Sequence, residues 1–103
     1  MSREKKRKPY YKTYVDHMLK FYVRYPHIEK QKNKVNELNW KAVDWVFQDL
    51  SDYERNVLHC LYQKEPSSEH MLRVAVMFNV NVDELDCQVD QICKRVAKRR
   101  GLL

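Results

Sequence analysis

The chain has 103 residues, 20 Lys and Arg against 14 Asp and Glu for a formal charge of +6, and is 44% hydrophobic and 12% aromatic. That length suits one domain with a single modest core, about 100–150 residues being the common domain size, and the apolar share excludes a disordered polyelectrolyte. No apolar run approaches the ~20 residues of a membrane span, and the opening Met1-Ser-Arg-Glu-Lys-Lys-Arg-Lys8 leads into tyrosines and not into a signal-peptide core, so a cytoplasmic protein with no membrane role is expected.

Gly101 is the single glycine. Loops that cradle phosphates need glycine so that backbone amides can approach an anion closely, and P-loop and dinucleotide fingerprints are absent. Few glycines and only Pro9, Pro26 and Pro66 argue against the tight turns of an all-β fold. An all-α fold of about five helices is expected. Cys60, Cys87 and Cys93 are odd in number and form no C-x-x-C pair, so neither a disulfide framework nor a zinc ribbon is indicated. Three reduced thiols, mostly buried, are expected.

In chain order, Pro9 fits the first turn of a helix that Pro26 stops at about Tyr25. Tyr11, Val15, Met18, Tyr22 and Tyr25 recur at steps of four and three, with Tyr14 and Phe21 widening the stripe. Residues 27–36 are polar and lysine-rich, as expected of a loop. Asn39 is placed to cap a helix over Trp40–Asp49 with Val43, Val46 and Phe47 inward. Ser51-Asp-Tyr-Glu54 reads as a capping box, with Leu50 before it as a staple residue. It opens a helix to about Gln63 that buries Val57, Leu58, Leu61 and Tyr62. Lys64 to Ser68 is a connector, and Ser67 or Ser68 caps a short helix through Met77. The turn Phe78-Asn-Val-Asn81 leads into a last helix, about Val82 to Arg99. Its apolar positions Leu85, Val89, Ile92 and Val96 keep the one-sided rhythm of a packed helix.

Residues 50–100 therefore have the layout of a helix-turn-helix unit. A supporting helix comes first, then a short helix, a four-residue turn and a longer helix. Ala75 lets the short helix cross closely, Asn79 sits where positive φ is wanted, Val80 plugs the corner and Asn81 caps the last helix. The expected organisation is one domain over 1–103: a basic arm over 1–8, a helical extension over 9–49, and the helix-turn-helix unit over 50–100.

Leu50-Ser-Asp-Tyr-Glu-Arg-Asn-Val-Leu58, Val74-Ala75 and Phe78-Asn-Val-Asn81, followed by Leu85, Val89, Ile92 and Val96, resemble the C-terminal fourth region of bacterial sigma factors. They are similar also to the C-terminal half of the RinA-like and ArpU-like activators of phages and prophages. The resemblance covers about half of the chain. It implies a transcription regulator whose helix-turn-helix reads duplex DNA, as that region of sigma factors reads the upstream promoter element.

In that docking mode the N-terminal part of the recognition helix meets base edges while flanking groups hold phosphates. The reading positions would be Val82, Asp83, Glu84, Asp86, Cys87 and Gln88. Three of these are acidic and Asp90 adds a fourth, an electrostatic cost in a groove walled by phosphates, whereas the family pattern expects arginines and polar residues there. Asp83 and Glu84 also have a plain structural reading. Negative charge in the first turn of a helix, and the positive charge of Lys94 to Arg100 at its end, each complement the helix dipole. The tail residues Lys94, Arg95, Lys98, Arg99 and Arg100 are phosphate candidates or a solvated face. The arm residues Arg3, Lys5, Lys6, Arg7 and Lys8 are candidates to track a groove or backbone.

The aromatic stripe of the first helix, interleaved with Lys12, Lys20 and Arg24, reads as core or homodimer interface, with stacking on unpaired bases as a weaker alternative. His17, His27, His59 and His70 form no metal or catalytic spacing, and His59 and Cys60, being adjacent, cannot pair on a helix. No enzyme activity, cofactor or metal is expected. The competing reading is a protein-interaction module whose acidic middle docks a basic partner, such as RNA polymerase or a phage protein. Charge is segregated accordingly: +8 over residues 1–34, −7 over 35–93 and +5 over 94–103.

Overall fold

In the computed structural model, which describes residues 11–25, 33–64 and 67–103, the chain forms five α-helices and, among those residues, no strand. They are α1 (Lys12–Arg24), α2 (Lys34–Phe47), α3 (Asp52–Tyr62), α4 (Ser68–Met77) and α5 (Val82–Arg100). The protein is all-α. Pro9 and the arm residues Arg3, Lys5, Lys6, Arg7 and Lys8 lie outside the described residues.

Most helix ends follow from local chemistry. Ser51 accepts from the Glu54 amide at 3.1 Å while the Glu54 carboxylate accepts from the Ser51 amide at 2.9 Å, a complete capping box. Ser67, and not Ser68, caps α4 by accepting from the His70 amide. Asn81 caps α5 with bonds from the Asp83 and Glu84 amides. α4 ends in a left-handed residue, Asn79, at φ 56°. The Val80 amide reaches Ala75 O at 2.9 Å and the Asn79 amide reaches Val76 O at 3.1 Å, the paired bonds of a Schellman ending. α5 ends the same way on Gly101 at φ 88°, where the Leu102 amide reaches Ala97 O. Asparagine tolerates this conformation better than other residues with a Cβ, which explains its use at the one left-handed position among the described residues that lacks glycine.

Three expectations are corrected. First, α2 begins at Lys34, six residues before the expected Trp40, so residues 33–36 belong to a helix start and not to a loop. Asn33 is the cap, accepting from the Val35 and Asn36 amides at 2.7 and 3.3 Å. Asn39 lies inside the helix and is buried, because Tyr14 and Arg100 satisfy its amide there. Second, the buried stripe of α1 is Tyr11, Val15, Met18, Leu19 and Val23. Tyr14 and Tyr22 lie at its edges, where their hydroxyls reach polar groups: Tyr22 donates to Asp44 at 2.7 Å, and Tyr14 accepts from Asn39 at 2.9 Å. Tyr25 leaves helical geometry, as a residue before proline favours, and is exposed. Third, Leu50 is buried in the core but has no apolar staple mate. That helical position holds Arg55, which turns back to donate to Phe47 O and Gln48 O and so caps the end of α2.

One core joins all five helices. Val15 and Leu19 of α1, Val43 and Val46 of α2, Leu58 and Leu61 of α3, Val74 of α4 and Leu85, Val89 and Val96 of α5 are almost wholly enclosed. α1 packs on α2, α3 and α5, α4 packs on α3 and α5, and α2 lies along the second half of α5. The 9–49 extension and the 50–100 unit thus share a single apolar interior, which fixes the orientation of α5.

Candidate nucleic-acid interface

α5 buries Leu85, Val89, Ile92, Cys93, Val96 and Ala97. On the opposite side, Glu84, Gln88, Gln91, Arg95 and Lys98 recur at steps of four and three, the spacing of one helical face. Cys87 and Lys94 lie beside that row, and all seven side chains are exposed. The acids divide between two places. Glu84 stands in the outward row, whereas Asp83, Asp86 and Asp90 occupy a flank turned toward α1. Asp90 approaches Lys12 Nζ at 4.0 Å, and Asp83 and Asp86 line a groove of about 350 Å³ together with Lys12 and Asp16.

Beneath that flank lies a polar cluster. Lys12 pairs with Asp16 at 3.1 Å, Tyr62 donates to Asp16 at 2.7 Å, and the Tyr62 hydroxyl lies 3.8 Å from Cys93 Sγ. Burial alone would lower the Lys12 pKa, but Cys93, Asp16 and Asp90 outweigh it and lift the ammonium above its ordinary value. Burial pushes the Cys93 thiol up to about 11, and burial together with Cys93 and Asp16 keeps the Tyr62 phenol protonated far beyond its usual range. These groups hold α1, α3 and α5 together, and neither Cys93 nor Tyr62 is placed for nucleophilic work at neutral pH.

The tail is largely engaged. α2 and the second half of α5 run antiparallel, and three arginines close the seam. Arg95 meets the Asp49 carboxylate at 2.8 Å, the Arg99 guanidinium lies 3.7 Å over the Trp45 ring, and Arg100 Nε donates to Asn39 Oδ1 at 2.6 Å. Lys94 and Lys98 are exposed, with no ion pair among the described residues. The charges of the first and last turns of α5 stand where the helix dipole favours them.

Of the candidate residues, the structure thus brings Glu84, Cys87, Gln88, Lys94, Arg95 and Lys98 onto one face of α5 and sets Arg99 and Arg100 against α2. Gln91, in the centre of that face, was missed, although its spacing from Gln88 and Arg95 would have found it. Trp45 and Asp49 were missed too. Their spacing of four matches that of Arg95 and Arg99, but no rule within one sequence pairs rows on helices so far apart.

The interleaved cations of α1 have local duties: Lys12 belongs to the polar cluster, and Arg24 donates to Gln63 O at the end of α3. The thiols are free, with Cys93 buried, Cys60 half-buried and Cys87 exposed, so the expectation of mostly buried cysteines fails at Cys87, on the outward side of α5. His59 packs edge-on against Phe47, while His70 Nε2 bonds to Cys60 O at 3.0 Å. Among the described residues no group of His, Cys, Asp or Glu is arranged to hold a metal ion, and no helix is long and apolar enough to cross a membrane. Comparison with protein-family models, with curated proteins and with solved structures gave no match to this chain.

Proposed function

We propose that this chain is a transcriptional regulator of phage or prophage type that binds duplex DNA through α4, the Phe78–Asn81 turn and α5 acting as a sigma-factor-like helix-turn-helix. The observation that carries this reading is the outward face of α5, where the amides Gln88 and Gln91 lead on to the cations Arg95 and Lys98, with Lys94 beside them. Amide side chains suit base edges, and lysines suit the phosphates beside them. Asp83, Asp86 and Asp90 stand on the flank toward α1 and not in the outward row, which lessens the electrostatic cost of placing this helix in a groove and leaves Glu84 as the acid that faces outward. The basic arm, Arg3 to Lys8, would add attraction from the other end of the chain.

Fluorescence anisotropy with random duplex and single-stranded DNA at two salt concentrations tests the reading. Duplex affinity should fall steeply with salt. The double change Lys94→Gln and Lys98→Gln should weaken binding about tenfold at low salt and flatten the salt slope by about 2. Absence of duplex binding at low salt would overturn it.

A second reading, a protein-interaction module that docks RNA polymerase or a phage protein, has its own support on α4. Leu72, Val76 and Met77 are 53%, 73% and 65% exposed on neighbouring turns, an apolar strip of the kind that marks a contact surface. The homodimer expected through the first helix would have to use Tyr14 and Tyr25, because the apolar stripe of α1 is spent inside the chain.

A further inference from the structure

The seam between α2 and the end of α5 opens into a groove of about 540 Å³ whose lining includes Lys41, Asp44, Trp45, Gln48, Arg99 and Arg100. Three of these side chains are cationic and one is acidic, in a chain whose middle is otherwise acidic. Asp44 accepts from Tyr22 at 2.7 Å and from Gln48 at 3.4 Å, neutral donors that leave its charge in place, so the three cations still outnumber the acid in the lining. Lys41 is held only by an exposed pair with Glu37 at 3.3 Å, a contact worth little to break.

The unusual member is Arg99. Its guanidinium carbon lies over the Trp45 ring, 3.7 Å from the centroid, and Trp45 remains 57% exposed. The ring contact restrains the guanidinium from one side, and the Arg99 side chain makes no hydrogen bond or ion pair among the described residues. An arginine so restrained, with its donors unused, is prepared for two parallel hydrogen bonds to a tetrahedral anion.

We infer that the Trp45–Arg99 stack, with Lys41 beside it, is a phosphate-binding subsite that takes a backbone phosphate of duplex DNA flanking the segment met by α5. That the phosphate is DNA's rests on the function proposed above. Arg95 and Lys98 connect the two regions along α5, so a strand leaving the outward row would meet this groove next. α2 then has a binding role besides its packing role, and Trp45 becomes a reporter of occupancy.

The test uses the full chain carrying Trp40→Phe, which leaves Trp45 as the only indole and keeps a ring against Tyr22. Trp45 emission is followed while a short random duplex, or inorganic tripolyphosphate, is added. The expected result is a saturable change with the duplex. Arg99→Gln should then weaken duplex binding about fivefold and lower the salt slope by about 1, with a smaller loss for Lys41→Gln. Arg99→Lys, which keeps the charge but not the planar fork, should restore only part of the affinity. Duplex binding with Trp45 emission unchanged and Arg99→Gln without effect would overturn the subsite and leave the α5 reading standing. An Arg99-dependent response to tripolyphosphate without any duplex affinity would keep a phosphate site but overturn DNA as its occupant and the proposed function with it. Absence of duplex affinity together with no Trp45 response to either probe would overturn both.

Discussion

The two halves of α5 are built from one helical rhythm and serve different ends. In the first half the buried row is covered mainly by α1 and α4, and the outward row, Glu84, Gln88 and Gln91, is exposed. In the second half α2 lies alongside, and Arg95, Arg99 and Arg100 reach across to Asp49, Trp45 and Asn39. A run of positive charge is therefore not a uniform surface. Of five basic residues at the end of this chain, three join two helices and two stay uncommitted. A guanidinium can both pack and carry charge, whereas an ammonium on a flexible stem stays hydrated, and this explains why the arginines are those at the seam.

The largest expected effect comes from breaking the second half at Asn39. Asn39→Ala removes the acceptor of Arg100 and the donor to Tyr14, and it leaves a half-buried guanidinium without its mate. Unfolding in urea should show a loss of about 2–3 kcal/mol, with the Schellman turn at Asn79 and the exposure of Gln88 unaffected. A loss below ~0.5 kcal/mol would mean that apolar packing alone fixes α2 on α5.

Next in size is an alkaline transition centred where the two halves meet. The folded chain keeps the Cys93 proton up to about pH 11, whereas its ordinary value is 9.0. The unfolded chain thus releases a proton that the folded one retains. Stability should be level below pH 9 and fall between 9 and 11, by roughly 2–3 kcal/mol for this group. Lys12 and Tyr62, both lifted, act in the same direction. Urea midpoints taken from pH 7 to 11 would reveal the fall. Cys93→Ala, less stable at neutral pH, should show a shallower one, and an equally steep decline would remove Cys93 from the cause.

A smaller effect sharpens the distinction between structural and available charge. Arg95 and Asp49 are exposed enough that their ion pair contributes under ~1 kcal/mol. Asp49→Asn should hardly change the thermal midpoint, yet it frees Arg95 and should raise duplex affinity two- to threefold at low salt. The smallest effect separates the acids of the first half. Glu84→Gln, on the outward row, should strengthen non-specific duplex binding about twofold, and Asp86→Asn, on the flank toward α1, should leave it unchanged. Equal effects would mean that the helix presents its flank and not its row.

Much of this molecule was legible in the residues themselves. The capping box at Ser51 and Glu54, the cap at Asn81, the left-handed turn at Asn79 and the stripe Leu85, Val89, Ile92 and Val96 depend on neighbours within a few positions, and a sequence displays such neighbours directly. The start of α2 was not legible, because Asn33 and Asn39 are both competent caps. Only the burial of Asn39 between Tyr14 and Arg100 decides between them. The candidate site was legible as a helix and a list of charges but not as an arrangement.

What the sequence determined by itself is therefore the all-helical class, the ends of α3, α4 and α5, and the separation of charge into basic termini and an acidic middle. What the tertiary structure decided is the use of those charges. Local propensity sets where α3, α4 and α5 begin and which face of each is apolar. Which cation is spent on a neighbour, and which acid turns from the outward face of α5, depends on residues such as Lys12, Trp45 and Asp49 that are distant in the chain and meet only when one core draws the five helices together.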